Sequence, residues 1–266
     1  MVDVTSAAPK SDKHMPDKHM PDKHKPAGSN NLNAMVLVKK PIKPQVVYIG
    51  ELKTPVIVID DFTADVSELQ ACASQIDFNL DMGSYYPGVR AKLPKDYVIE
   101  LLNHIFQLIY DVYKVPTNLR IKPQATYFSL INRQPESLTT LQRIPHFDTP
   151  APYYFAILQY LNDQPHGATA FFKHKPSGFE RITQQNMQQY FNAAEPYLQQ
   201  IAPKPAKYFV ESNAYYQQHH QIEYKQHRLV IYPGNLLHST LVNLDTDIDS
   251  NPDTGRLTAN IFINIE

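Results

Sequence analysis

A histidine and an aspartate separated by one residue, His146 and Asp148, form the first candidate metal-binding pair of this chain. In a β-strand, side chains two residues apart emerge on the same face, so the imidazole and the carboxylate would reach one ion while Phe147 points into the packing. A pair at this spacing arises by chance in a chain with eleven histidines. On its own it is better explained as a structural histidine beside an aspartate at a strand end.

A third ligand would have to come from a strand that returns beside the first. His238 is the candidate, because it follows a predicted strand and turn that reads Arg228-Leu-Val-Ile-Tyr-Pro-Gly-Asn-Leu-Leu. Two histidines and one carboxylate, with three coordination positions left open, make up the facial triad of non-haem iron(II) oxygenases. Together His146, Asp148 and His238 predict an iron site.

The last predicted strand opens with a second polar pair, Arg256 and Thr258. Their side chains would alternate onto one face, where the planar guanidinium can hold a carboxylate through two parallel hydrogen bonds. Taken singly, Arg256 is better explained as an ordinary surface arginine of a strand.

The elements that would position these residues form one domain behind a tail. Residues 1–34 contain a five-residue repeat with regular prolines and few apolar side chains, which predicts a disordered tail whose histidines could bind a metal weakly. A single jelly-roll dioxygenase domain is predicted over 46–266.

Periodicity within the domain changes from helical to strand-like along the chain. Helices are predicted from Thr63 or Asp65 to Gln75 and over 95–113, where apolar residues form one stripe. Short runs rich in aromatic and β-branched residues then predict strands at 120–130, 153–161, 169–172, 228–232, 239–244 and 257–265, with helices inserted at 184–200 and, as a weaker candidate, 212–225. This order predicts an α+β fold, a double-stranded β-helix (jelly-roll) barrel with N-terminal supporting helices.

Composition excludes several classes of protein. The 266 residues are 42% hydrophobic and carry a net charge of −1, so no overall field favours nucleic acid or an anionic membrane. The single cysteine, Cys72, excludes an internal disulfide. Because no run approaches the ~20 apolar residues of a membrane span, a cytoplasmic protein is predicted.

The four elements in order, His-x-Asp, a distant histidine, and Arg-x-Thr on the final strand, resemble the 2-oxoglutarate and iron(II)-dependent dioxygenase superfamily. The likeness is greatest to its prolyl-4-hydroxylase-like branch and, within it, to an uncharacterised bacterial family of oxygenases. Val56 to Phe62, Tyr85 to Arg90, and Tyr160-Leu-Asn162 followed by Gly167 also match, and the resemblance covers roughly Val56 to Ile265.

The resemblance implies a cofactor and a reaction. Iron(II) would be held by the three ligands, and 2-oxoglutarate, the co-substrate, would pair its far carboxylate with Arg256 beside the Thr258 hydroxyl. With O2, the enzyme would hydroxylate a peptide, amino-acid or small-metabolite substrate and release succinate. Gln159 stands where related hydroxylases have a tyrosine, so either Gln159 or Tyr127 would supply the second co-substrate contact. Eighteen residues separate His238 from Arg256, more than is usual, which predicts an enlarged hairpin loop at 245–255.

Two other functions stay open at this point. One is a non-catalytic jelly-roll module that binds a ligand or a protein; the other is a metal-dependent hydrolase or isomerase on a cupin-like barrel, which would not need Arg256. Tyr85, Tyr86 and Arg90 could line a substrate entrance. The remaining histidines of the domain are predicted to be solvated or packed: His166, His174, His219, His220 and His227.

Overall fold

The structure, a computed structural model, describes residues 38–80 and 85–266. They belong to the second of two compact units, Leu32–Glu266, and the predicted tail at 1–34 lies outside the described residues. This part of the chain is a mixed α/β protein dominated by antiparallel sheets, which confirms the predicted combination of helices with an antiparallel β domain.

Eleven described strands form two sheets. In chain order they are β1 (Pro44–Ile49), β2 (Thr54–Ile59), β3 (Asn79–Leu80), β4 (Gly88–Lys92), β5 (Ile121–Ile131), β6 (Tyr154–Tyr160), β7 (Thr169–His174), β8 (Tyr216–Ile222), β9 (Leu229–Pro233), β10 (His238–Thr240) and β11 (Thr258–Ile265). The larger sheet has the order β1-β2-β9-β6-β11-β5-β4-β3, and the smaller sheet has the order β10-β7-β8.

Three α-helices accompany the sheets in the described residues: α1 (Ser67–Ser74), α2 (Lys95–Tyr113) and α3 (Met187–Ile201). The bounds of α2 are those predicted from its apolar stripe, and it ends at Lys114, which adopts the left-handed conformation (φ 54°). Two short 3₁₀ turns, Pro135–Ser137 and Thr140–Arg143, precede the His146 segment. In the part of the chain that the structure describes, no helix combines the length and apolar character needed to cross a membrane.

Strand β11 separates two apolar layers because its side chains alternate between faces. Ala259, Ile261 and Ile263 pack in the cluster that contains the buried stripe of α2. Phe262, on the opposite face, packs against a second cluster that joins residues of the larger sheet to Phe171 of β7. We call this second face of the larger sheet its inner face; it is the face that carries Thr258.

One predicted element has the wrong type. Residues 212–225, the weaker helix candidate, contain strand β8, which pairs antiparallel with β7 from His174↔Tyr216 to Thr169↔Ile222. Glutamine and histidine at the centre of β8 carry no strong strand signal. Pairing with β7 and burial of Tyr216 and Ile222 decide the conformation, an override of local propensity that is common at sheet edges.

The buried ring of His174 makes stability depend on pH. It is fully buried between Tyr190 and Tyr216, and burial lowers its pKa to about 4 from an ordinary value of about 6.5. Between these values the unfolded chain binds a proton that the folded protein does not, so this contribution to stability is complete above pH ~6.5 and falls as the pH drops toward 4.

We therefore expect His174→Gln to flatten the acid side of the stability profile. The parent should lose up to about 1.4 kcal/mol more unfolding free energy per pH unit than the variant between pH ~6.5 and ~4. Urea unfolding at a series of pH values measures this difference, and parallel profiles for parent and variant would contradict it.

Candidate metal centre

The three predicted metal ligands converge. One potential donor atom from each of His146, Asp148 and His238 lies within 4.8 Å of the other two, and His238 Nε2 is 3.9 Å from Asp148 Oδ1. The two imidazole rings have centroids 4.3 Å apart and are inclined by 51°. These distances bring an imidazole pair and a carboxylate close enough to share one cation.

Backbone pairing sets this arrangement. The His146 N–H donates to the His238 carbonyl (2.9 Å), and the His238 N–H donates to the His146 carbonyl (2.8 Å). The Asp148 N–H then donates to the Gly234 carbonyl (2.7 Å). The segment thus runs along the outer edge of β10 and presents both of its ligand residues to His238.

The His-x-Asp pair lies outside the named strands, and within it only His146 forms an isolated bridge. Pro145 and Pro150 flank the pair, and prolines cannot donate to a ladder, which keeps the segment too short for a strand. The predicted alternation still holds locally, since Phe147 points away and packs edge-on against Tyr190 at 5.9 Å.

Gly234 permits the close approach of the aspartate. A Cβ at this position would lie 2.6 Å from Tyr154 Cδ1 and 2.9 Å from Asp148 Oδ2. Any side chain would therefore push the carboxylate out of place. The turn glycine that separated two predicted strands in the sequence is also part of the site.

The surroundings of the two imidazoles act on them in different ways. His238 Nδ1 lies 2.9 Å from the Leu236 carbonyl, which as an acceptor requires the hydrogen on Nδ1 and leaves the lone pair on Nε2. Although His146 is an exposed residue, burial of its ring atoms among protein atoms lowers its pKa well below the ordinary value, and His238 and Arg90 lower it further. Among the described residues, only His238 of the two ligand histidines makes a hydrogen bond through its far ring nitrogen.

Asp148 is a carboxylate without a full set of partners. Its Oδ2 is buried and accepts no hydrogen bond within the described structure, and burial raises the pKa of its carboxyl group. A buried carboxylate oxygen that lacks a donor costs free energy unless a cation compensates it. Two imidazoles and this oxygen are a donor set suited to a divalent transition metal such as iron(II).

Arg256 is a buried cation that lacks an acidic partner. It is 2% exposed, and its Nε donates to the Gly167 carbonyl at 2.9 Å. Its guanidinium carbon lies 5.6 Å from the ring centre of Tyr160 and 5.5 Å from that of Tyr224. In the described part of the chain no carboxylate lies within 4.0 Å of it, and Nη2 is buried without a partner. Burial of a lone guanidinium favours an anionic ligand at this position.

Thr258 and Tyr127 share the inner face with Arg256. Thr258 is paired with Tyr160, the residue on which Arg256 packs, and its Oγ1 accepts a hydrogen bond from Asn260 Nδ2 at 2.9 Å. Tyr127 is paired with Asn260 on β5 and is half-buried. Its ring lies under the Lys92 ammonium, with Nζ 4.1 Å from the ring centre.

Gln159 lies on the opposite face of β6 and points away from Arg256. It is paired with Ala259, it accepts a hydrogen bond from the Tyr97 hydroxyl (2.6 Å), and it donates to Thr63 Oγ1 (2.8 Å). These two bonds hold the amide against α2. The structure therefore does not bring Gln159 to the co-substrate position expected from the sequence.

Tyr232 lies close to the metal ligands and was not predicted from the sequence. Its ring lies edge-on to His238 at 5.0 Å. Burial raises the pKa of Tyr232 well above its ordinary range, the charge of Asp148 raises it further, and that of Arg256 lowers it. The tyrosine is thus in electrostatic range of both the metal ligands and the buried arginine. A tyrosine within an apolar strand gives no sequence signal of such a place.

The unpaired carboxylate predicts an unusual response to mutation. We expect Asp148→Asn to leave the metal-free protein as stable as the parent or to raise Tm by about 2–4 °C, a gain of roughly 1 kcal/mol, because a neutral amide is less costly to bury. Thermal unfolding in the presence of a chelator measures this effect. Added Mn(II) should raise the Tm of the parent but not that of the variant.

A large loss of stability in Asp148→Asn would show that the carboxylate has a structural partner. Equal protection of both proteins by Mn(II) would show that the metal binds elsewhere.

Solved structures with detectable likeness share little sequence with this chain. HygX from Streptomyces hygroscopicus with nickel, 2-oxoglutarate and hygromycin B bound is 12% identical, with a TM-score of 0.46 over 79% of this chain and 82% of that chain. HygX with iron bound is 14% identical, with a TM-score of 0.40 over 79% and 82%. An N-substituted L-amino acid dioxygenase from Burkholderia ambifaria AMMD is 9% identical, with a TM-score of 0.37 over 84% and 94%.

Comparison with curated proteins gives no match. A protein-family model, by contrast, matches residues 40–263. This range contains the three described α-helices and every residue of the site. The chain therefore belongs to the Family of unknown function DUF6445.

Proposed function

We propose that this protein is a 2-oxoglutarate-dependent iron(II) dioxygenase that hydroxylates a peptide, amino-acid or small-metabolite substrate. The observation that carries the proposal is the convergence of His146, Asp148 and His238, whose donor atoms lie within 4.8 Å of one another. The isolated, buried Arg256 supports it, because it supplies a site for an anion.

The three ligands would hold iron(II) and leave the remaining coordination positions to 2-oxoglutarate and O2. Bound iron(II) supplies the oxygen activation that couples decarboxylation of 2-oxoglutarate to succinate with oxidation of a carbon–hydrogen bond. The protein contributes position and charge. His238 is kept in the Nε2 lone-pair form by the Leu236 carbonyl, and Asp148 supplies the negative charge.

Arg256 would bind the far carboxylate of 2-oxoglutarate. The guanidinium is kept from solvent by Tyr160 and Tyr224, so an ion pair formed there is weakened little by water. Thr258 is buried on the same face and would lie beside the carboxylate. Tyr127 remains the candidate for the second co-substrate contact, since it shares the inner face that Gln159 does not.

The strand order supports a jelly-roll for the domain. The His146 segment, β10, β7 and β8 would form one sheet of a double-stranded β-helix, and β5, β11, β6 and β9 would form the other. In this arrangement the metal ligands lie on the smaller sheet, and Arg256 lies two residues before β11 of the larger one. We further propose that the protein belongs to the prolyl-4-hydroxylase-like branch of these dioxygenases, because its His-x-Asp pair, its distant histidine and its Arg-x-Thr pair resemble that branch.

Anaerobic titration of the protein with iron(II) and then 2-oxoglutarate tests the proposal. We expect a weak visible charge-transfer absorption that requires both components, followed by succinate release when O2 is admitted. His238→Ala, which lacks one ligand, should give neither signal, whereas His104→Ala, on α2 away from the site, should match the parent. Absence of both signals in a folded, metal-loaded parent would sink the proposal and favour a binding module.

Arg256→Ala should weaken the affinity for 2-oxoglutarate while leaving iron binding nearly unchanged. Loss of one partner of a buried ion pair costs about 2–5 kcal/mol, or roughly thirty-fold to several-thousand-fold in affinity. Arg256→Lys should recover only part of the loss, since an ammonium cannot reproduce the planar fork. Apparent affinity is read from succinate formation at saturating iron. An unchanged affinity in Arg256→Ala would refute the assignment of Arg256 to the far carboxylate of 2-oxoglutarate.

A further inference from the structure

The segment 245–255, predicted as an enlarged hairpin loop, is anchored in the interior. Asp247 is fully buried, and Ile248 forms a parallel bridge with Ile131 at the end of β5. The Asp249 N–H also donates to the Ile131 carbonyl at 2.9 Å. The loop is therefore packed against the strand next to β11.

The Asp247 carboxylate accepts a dense set of hydrogen bonds. The Gly167 N–H lies 3.2 Å from Oδ1 and 3.1 Å from Oδ2, and the Asn243 N–H donates to Oδ2 at 2.9 Å. The Thr246 hydroxyl lies 3.3 Å from Oδ1, and His166 Nδ1 lies 3.0 Å from the same oxygen. A carboxylate with this many donors is held firmly in one place.

Gly167 links this carboxylate to Arg256. Its N–H donates to Asp247, and its carbonyl accepts from Arg256 Nε at 2.9 Å. A Cβ on Gly167 would lie 1.8 Å from the Leu241 carbonyl oxygen and 2.6 Å from Asp247 Oδ2, so this close approach requires glycine. A displacement of the carboxylate would thus displace the carbonyl that orients the guanidinium.

A second path joins the same groups. The His166 ring, whose side chain is fully buried, contacts Tyr224 edge-on at 4.7 Å. Tyr224 is one of the two rings that flank Arg256, and its hydroxyl donates to the Leu257 carbonyl at 3.2 Å. His166 is therefore packed, which is one of the two states predicted for it. Its packing partner, Tyr224, is also a neighbour of Arg256.

We propose that Asp247 is a positioning residue for Arg256, acting through Gly167, and that the 245–255 loop is thereby part of the co-substrate site. The inference rests on the proposed function, because the ligand of Arg256 is taken to be the far carboxylate of 2-oxoglutarate. Asp247 does not touch that ligand; it holds the backbone that aims the guanidinium.

Asp247 could affect 2-oxoglutarate binding through its negative charge or by holding Gly167 in position. These two roles predict opposite changes in affinity when the charge is removed. If the carboxylate acted only through its negative charge, removing that charge would strengthen the binding of a dianion nearby. If it acts by position, Asp247→Asn weakens binding, because an amide NH2 would face backbone donors and shift Gly167. The two possibilities differ in the sign of the change in affinity.

The experiment compares two keto acids under anaerobic conditions with iron(II) saturating. 2-Oxopentanoate has the keto-acid end of 2-oxoglutarate but a methyl group in place of the far carboxylate, so the ratio of the two dissociation constants reports on the part of the site around Arg256 that binds this carboxylate. We expect Asp247→Asn to weaken 2-oxoglutarate binding roughly 10- to 100-fold, with 2-oxopentanoate and iron binding nearly unchanged. Asp247→Glu keeps the negative charge but shifts the carboxylate by one methylene, so it should also lose the preference for 2-oxoglutarate over 2-oxopentanoate.

The control is Asp245→Asn, an exposed aspartate of the same loop, which should behave as the parent. A parent that binds both keto acids equally would refute the proposed function itself. A parent that prefers 2-oxoglutarate, together with an Asp247→Asn variant that keeps or increases that preference, would refute the inference alone.

A milder variant covers the case in which the Asp247 variants do not fold. Thr246 is half-buried, and its hydroxyl donates to the Pro165 carbonyl (2.8 Å) as well as contacting Asp247. Thr246→Val should reduce the preference for 2-oxoglutarate in the same direction by a smaller factor. An unchanged preference there, with the Asp247 variants lost, would overturn the inference.

Discussion

The reciprocal backbone hydrogen bonds between His146 and His238 determine the geometry of the whole site. Residues 92 positions apart are fixed opposite each other by N–H to carbonyl distances of 2.9 and 2.8 Å, so their rings lie together. The same pairing carries Asp148 to the Gly234 turn. Because the constraint is in the backbone, the side chains need only adopt rotamers that face inward. Such preorganisation keeps three donors in place at little additional entropic cost on metal binding.

Two incompletely satisfied charges mark the ends of the site. Asp148 has a buried oxygen with no donor, and Arg256 has a buried nitrogen with no acceptor among the described residues. Natural proteins rarely leave such groups unpaired, and where they do, a ligand commonly completes them. The charges of Asp148 and Arg256 act in opposite directions on the pKa of Tyr232. A metal at one end and an anion at the other would satisfy both groups.

Sequence reasoning succeeded where the signal was periodic or chemical. The apolar stripe gave the bounds of α2, and the order of residue types identified His146, Asp148 and His238, which converge. It failed where tertiary contacts decide. β8 is a strand because β7 pairs with it. Gln159 faces α2 because neighbouring residues of a strand point to opposite faces of the sheet. Asp247 was not predicted as part of the site, since burial of a loop carboxylate leaves no local trace in the sequence.

The most direct test of the account is a crystal structure of the protein grown anaerobically with Mn(II) in place of iron and with 2-oxoglutarate. We predict one metal ion bound by His146, Asp148 and His238, chelated by the keto-acid end of 2-oxoglutarate, with the far carboxylate paired to Arg256. Manganese bound by other residues, or 2-oxoglutarate oriented away from Arg256, would contradict it.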